Sequence, residues 1–222
     1  MKRTALFLLS VMLCVITASA QGDSQNNNPV SEAVDLGLPS GTLWASCNIG
    51  ATNPEEFGDY YSWGETEPKT SYKLEEYRHF KPGQENVMTI RRAFADLGKD
   101  IAGTQYDVAH VKWGEEWQMP SLGQFQELEQ NCVWEWTSVN EVVGYKITSK
   151  TNGNSIFLPA AGSKASQRTS NIGVYGLYWS STLAYDGPSG GCNLLIQKGS
   201  DRRRQTSSRA LGYTVRAVKV VK

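Results

Sequence analysis

Histidine is almost missing from this chain of 222 residues: only His79 and His110 occur. They stand far apart with no ligand spacing around them, which argues against a zinc site. Cysteine is scarce too, with four in the sequence. Cys14 falls in an apolar N-terminal run, which leaves Cys47, Cys132 and Cys192 scattered along the rest. An odd count cannot all pair within one chain. Cys47 with Cys132 is one pairing; the plainer reading makes both of them small buried apolar residues. Cys192 reads as an incidental, partly exposed thiol. Net charge is lacking as well, with 22 basic residues against 22 acidic ones. Nucleic acid calls for a concentrated basic surface, so it is a poor partner for this chain. The run Arg202-Arg203-Arg204 is the local exception. No internal repeat and no heptad pattern occurs. The residues imply no metal and no cofactor.

A long apolar run occurs once. Lys2 and Arg3 form a charged head, residues 6–17 are almost wholly apolar, and Ala18-Ser19-Ala20 ends the run with small residues. That pattern reads as a secretory signal peptide over residues 1–20. The run is shorter than the roughly 20 apolar residues that span a membrane. Val11-Met12-Leu13 are bulky, which argues against a lipid anchor on Cys14. The reading places the mature chain outside the cytoplasm: in the periplasm, on the cell surface or secreted. ATP, NAD and the genome are then poor candidates for partners, and no transmembrane segment is expected. Without Lys2 and Arg3 the balance is 20 basic against 22 acidic residues, a net charge of −2.

What is abundant is aromatic and glycine. Seven tryptophans, ten tyrosines and 21 glycines suit short strands, many loops and aromatic-filled corners rather than a helical bundle. Residues 21–30 are polar and asparagine-rich and read as a disordered leader. Residues 31–222 read as one domain.

Strands are expected at residues 33–38 and 43–49, with Pro39-Ser40-Gly41 turning between them. Residues 60–63 read as a third short strand, and residues 65–83 as a long surface loop. Asp107 starts a helix that Trp113-Gly114 stops. Ser121 is a good N-cap, with Gln124 placed to close a capping box and Leu122, Phe125 and Leu128 at helical spacing. From Val133 the pattern turns to β. Residues 143–148 pair with 155–158 across Asn152-Gly153, a strong hairpin signal. Residues 178–182, 193–197 and 212–221 read as further strands. Strands, then helices, then strands make an α+β chain with antiparallel sheets and about two helices.

Six motifs stand in register: Gly41-Thr42-Leu43-Trp44-Ala45-Ser46-Cys47-Asn48-Ile49-Gly50-Ala51; Glu56-Phe57-Gly58-Asp59-Tyr60-Tyr61-Ser62-Trp63-Gly64-Glu65; Trp113-Gly114-x-x-Trp117-x-Met119-Pro120-Ser121; Leu158-Pro159-Ala160-Ala161-Gly162; Tyr178-Trp179-Ser180-Ser181; and Arg209-x-x-Gly212-x-x-Val215-Arg216. Together they resemble the Fibrobacter succinogenes major paralogous domain family of secreted Bacteroidetes proteins, over residues 33–218. The resemblance implies a C-type-lectin-like fold, related to formylglycine-generating enzymes and variable receptor-binding proteins, with the first and last strands paired. It implies little biochemistry.

Calcium-dependent lectins use Glu-Pro-Asn or Gln-Pro-Asp with Trp-Asn-Asp, and none of these occurs here. The formylglycine-generating reaction needs a cysteine pair near the C-terminal end, where only Cys192 lies. Glu115-Glu116 and Glu127/Glu129 read as solvated helix-face charge. Trp44, Trp113, Trp117 and Trp179 read as packing anchors. Arg209 and Arg216 are expected to bind backbone carbonyls or a carboxylate. The surface of interest is residues 185–208, rich in the side chains of adaptable recognition surfaces. Leu194 and Ile196 should face the core, leaving Asn193, Leu195 and Gln197 on the other face. In variable lectin-fold receptors the corresponding stretch displays the ligand-contacting residues. The resemblance carries that role to Tyr185, Asp186, Asn193, Asp201, Arg202, Arg203, Arg204 and Gln205. The expected function is non-enzymatic recognition of a glycan or surface protein. Two alternatives stay open: an enzyme of the formylglycine-generating or a hydrolytic type, and a self-assembling subunit of a surface structure.

Overall fold

The computed structural model describes residues 31–81, 83, 93–199 and 203–220, with the backbone alone of Arg203. The signal peptide expected at 1–20 and the leader at 21–30 lie outside the described residues, as do Asp201 and Arg202.

The chain is α+β and sheet-rich. Four short strands form one sheet: β1 (Ala33–Asp35), β2 (Leu43–Ala45), β3 (Trp117–Gln118) and β12 (Val218–Lys219), in the order β1-β2-β12-β3. The two ends of the described chain therefore meet. Val218 pairs with Trp44 and Lys219 with Leu43, antiparallel. Two further backbone bonds extend the seam, from Ala45 N–H to the Ala217 carbonyl and from Ile49 N–H to that of Val215, each 3.0 Å.

Two α-helices are described. In α1 (Val108–Trp113), the Asp107 carboxylate accepts from the Ala109 and His110 N–H groups, and Gly114 ends the helix at φ 93°. The other oxygen of Asp107 accepts from Gly103 and Met119, so one side chain ties the helix start to the strand beyond it. In α2 (Leu122–Asn131), Ser121 and Gln124 form the expected capping box. Such a cap contributes about 1 kcal/mol. Phe125 and Leu128 are the buried residues of that helix.

The strands β4 (Cys132–Val139), β5 (Val142–Ser149) and β6 (Ser155–Pro159) form an antiparallel meander. Thr148 opposes Ser155 beside the Asn152-Gly153 turn. A small hairpin, β7 (Ser163–Ala165) and β8 (Arg168–Ser170), stands apart. The last sheet has the order β11-β10-β9, with β9 (Tyr175–Leu183), β10 (Gly190–Gln197) and β11 (Arg203–Ser208).

This last sheet is covered on both faces. Leu194, Ile196 and Tyr178 join a cluster with Phe125, Leu128, Tyr145 and Ile147. Leu177 and Trp179 join a second cluster with Trp63, Trp113, Trp117 and Tyr213, against which Leu195 packs. All four tryptophans expected to anchor the packing are buried. The face expected to carry Asn193 outward is thus an interior face, and Asn193 is 0% exposed.

Two expected strands are shorter. Residues 60–63 make one bridge, Tyr61 to Tyr213. Residues 212–217 pair in turn with Lys164, Tyr61 and Tyr178 before β12 begins. Each of these residues serves a different neighbour, so no continuous ladder forms. Conversely, residues 203–208, within the stretch read as a recognition surface, form a strand, β11.

Arg216 and Arg209 are both fully buried. Arg216 donates to Asn48 Oδ1 at 2.8 Å and to the carbonyls of Ala45, Ser46 and Phe157. It rivets the β2 segment to β6 through the carbonyl-binding role expected of it. Burial pulls its pKa down to about 10, which leaves the cation charged at neutral pH. Cys47, Cys132 and Cys192 are free and buried, so the Cys47–Cys132 bridge is not formed.

Candidate functional site

The turn between β9 and β10 carries Tyr185, Asp186, Gly187 and Pro188. Gly187 has φ 145°, a conformation that side-chain-bearing residues rarely adopt. Gly191, at the start of β10, lies against Trp63; a Cβ there would meet the ring at 2.7 Å. These two glycines let the hairpin bend sharply and seat closely on the indole.

Opposite the turn runs the segment 94–101. It pairs with the end of β9: Leu183 N–H donates to the Lys99 carbonyl at 2.9 Å, and Ile101 N–H to that of Ser181 at 3.0 Å. Between this segment and the turn lies a cleft of about 790 Å³. Phe94, Leu122, Leu183 and Pro188 give it an apolar lining, while Asp96, Lys99 and Thr182 add polar groups. Tyr185 stands on its rim, 104% exposed.

Arg209 holds the two walls together from behind. Its Nη1 donates to the Pro188 carbonyl at 2.7 Å on one wall and to Ala95 at 3.1 Å on the other. Its Nε donates to the Tyr77 hydroxyl at 2.8 Å, and the guanidinium lies 4.8 Å from the Trp63 ring. Burial lowers the Arg209 pKa; the Tyr77 hydroxyl and the Asp96 carboxylate act in the opposite direction. As expected, this arginine binds backbone carbonyls.

The cleft continues. A hollow of about 320 Å³ shares Phe94 with it and is lined by Asp186, Ser189, Thr206 and Ser208. A third, of about 430 Å³, shares Leu74 and Ser208 and reaches Tyr72, Lys73 and Ser166. The three form one interrupted groove past the end of β11.

The expected site residues are dispersed. Tyr185 and Asp186 border the groove. Asn193 lies inside the sheet, where its Nδ2 donates to Ser207 Oγ at 3.0 Å. It is removed from the contact surface because the Trp63–Trp179–Tyr213 cluster covers that face. Arg204 binds Glu129 on α2 at 2.6 Å, on the sheet face away from Trp63. Gln205 is half-buried on β11. Arg203 contributes backbone to β11, and Asp201 and Arg202 lie outside the described residues.

Phe94, Lys99, Leu122 and Cys192 line the cleft without having been singled out for it from sequence. The resemblance named Tyr185 and Asp186 on one wall; nothing local marked the other. Cys192 is 6% exposed, less than expected, and burial raises its thiol pKa, with Asp186 adding to the effect. No described lining residue of the cleft is a histidine. Among the described residues, no group of three or more His, Cys, Asp and Glu side chains is placed to hold a metal ion. The acidic pairs have structural partners: Glu127 accepts from Ser40, Glu129 pairs with Arg204, and Glu116 pairs with Lys219. No helix among the described residues is long and apolar enough to cross a membrane.

No family model, no curated protein and no solved structure matches this chain.

Proposed function

We propose that this chain is an extracytoplasmic binding protein of C-type-lectin-like fold, in the Fibrobacter paralogous family, that recognises a glycan or a surface protein without catalysis. The carrying observation is Tyr185, wholly exposed on the rim of an apolar cleft. An aromatic ring held in water at such a rim suits stacking on a partner's apolar face. Asp186, Ser189, Thr206 and Ser208 supply hydrogen-bonding groups beyond it. Three neighbouring hollows that share lining residues favour an extended ligand over a single small unit. Arg204 and Gln205 lie further along β11 from these groups. The pairing of β2 with β12 supports the lectin-like assignment, since the resemblance implies that closure.

One observation favours a second reading, an enzyme: Cys192 lines the cleft. A nucleophilic cysteine works as thiolate. Its buried, protonated thiol and the lack of a histidine lining the cleft support binding instead.

The test is a glycan and surface-protein array probed with the mature chain. A ligand bound by the wild type and weakly by Tyr185→Ala supports the reading. A ligand bound equally by both proteins overturns it.

A further inference from the structure

Asn152-Gly153 is the one Asn-Gly step in the chain. It forms the β5–β6 turn, and that turn also fastens β1. Ser149 Oγ donates to the Leu36 carbonyl at 2.6 Å. Asn152 Nδ2 donates to the Asp35 carbonyl at 3.0 Å, and Asn154 Nδ2 to the same oxygen at 2.8 Å. Three side chains of one turn thus latch residues 35–36.

The Asn152 side-chain carbonyl accepts from the Asn154 N–H at 3.0 Å. This closes a ring around the Gly153 peptide, and the donated hydrogen bond polarises Cγ of Asn152 as an electrophile. Gly153 has φ +78° and nothing within 4 Å of where a Cβ would stand. No side chain crowds the peptide there, the backbone favours glycine, and the Gly153 N–H donates to the Ser149 carbonyl at 3.3 Å, a long bond that the attack has to break.

We propose that Asn152 is a site of spontaneous modification, and that its conversion releases the latch on β1. The Gly153 nitrogen gives its proton to solvent base and bonds to Asn152 Cγ. The leaving Nδ2 takes a proton back from solvent, the Cγ–Nδ2 bond breaks and ammonia departs, giving a cyclic imide. Water opens the imide at either carbonyl, giving aspartate or isoaspartate. No oxidant or reductant enters. The product lacks the amide donor to Asp35 and carries a carboxylate in its place. The isoaspartate form also lengthens the turn backbone by one carbon.

The turn keeps both reactive residues for structural reasons: the asparagine for its bond to β1, the glycine for its positive φ. Asn140 and Asn171 are also exposed turn asparagines with positive φ. Each is followed by a residue with a side chain, Glu141 or Ile172, which hinders the same attack.

The experiment ages the full chain at neutral and mildly alkaline pH and maps its peptides by mass. Asn152 should gain the mass difference of NH2 replaced by OH about tenfold faster than Asn140 or Asn171, a barrier lower by about 1.4 kcal/mol. The rate should rise with pH. Amide exchange at residues 33–38 should accelerate in the aged protein and, without ageing, in Asn152→Asp. Equal conversion at the three asparagines overturns the site. Unchanged exchange at residues 33–38 in both proteins overturns the latch.

Discussion

Arg209 donates to the backbone carbonyl of Pro188 at 2.7 Å, and through that bond a fully buried cation holds the turn that displays Tyr185. The same Nη1 reaches Ala95 on the opposite wall. The separation of the cleft walls is therefore set by one planar group that cannot shorten or bend.

Replacing that group should be costly. Arg209→Met leaves the carbonyls of Ala95 and Pro188 without their donor, each worth about 1–3 kcal/mol when buried and unpaired. Urea unfolding should show a loss of about 3 kcal/mol. Arg209→Lys should recover only part of this, because an ammonium cannot reproduce the fork. A lysine variant as stable as the wild type would contradict the clasp.

Tyr185 makes the opposite prediction. Its side chain is fully exposed, so Tyr185→Ala should change stability by less than about 0.5 kcal/mol. Binding to an array-identified ligand should weaken about tenfold or more, as expected for an aromatic anchor worth about 1.4 kcal/mol or more. Thermal melting and a binding isotherm on the same preparation separate the two effects.

The buried phenols set an alkaline limit. Burial pushes Tyr60 and Tyr72 from 10.0 up to about 12, and moves Tyr61, Tyr77 and Tyr178 upward as well. The folded state holds these protons where the unfolded state has released them. Their contribution to stability is complete below pH 10 and is lost as pH rises from 10 toward 12. Spectrophotometric titration should show Tyr60 and Tyr72 ionising near 12, or together with unfolding, with Tyr61, Tyr77 and Tyr178 no earlier. All ten tyrosines titrating together near their ordinary value, with the fold intact, would refute this burial.

The thiols give a simple count. Cys47, Cys132 and Cys192 are free and buried. Burial raises the Cys132 and Cys192 thiols above the ordinary cysteine value. Native protein should react slowly with a thiol reagent at neutral pH. Denatured, unreduced protein with the N-terminal 20 residues removed should yield all three equivalents at once. Recovery of a single equivalent would restore the Cys47–Cys132 bridge.

At low pH the loop holding Glu56 should respond. Hydrogen bonds from Thr52 and Asn53 lower its pKa from 4.5 to about 2. These bonds should persist in full above about 4.5 and be lost as pH falls through about 2. The amide shifts of Thr52 and Asn53 report this directly in an NMR titration.

Much of the local structure was legible because its signals are local. Ser121 and Gln124 announce a capping box within four residues, and Asp107 announces the start of α1. Asn152-Gly153 announces the β5–β6 turn and with it the pairing of Thr148 with Ser155. The candidate site was legible in part. Tyr185 and Asp186 follow from the composition of residues 185–208 and from what the resemblance implies. The Phe94–Lys99 wall carries no such signal, because nothing near residue 94 shows that it pairs with Thr182 and Leu183. Asn193 was misplaced by the period-two rule itself. Alternation correctly divides β10 into two faces, but it cannot tell that Trp63 and Tyr213, distant in sequence, cover the second one.

Sequence alone determined the sheet-rich α+β class, the helix caps, the β5–β6 hairpin and the need of two arginines for interior acceptors. These rest on contacts within a few residues or on the cost of burying a charge. Tertiary structure decided that β11 is a strand, that Asn193 is internal, and that Arg209 clasps a cleft between segments about ninety residues apart. Those outcomes depend on which surfaces meet when apolar area is withdrawn from water, a quantity summed over the whole fold and readable from no single stretch of it.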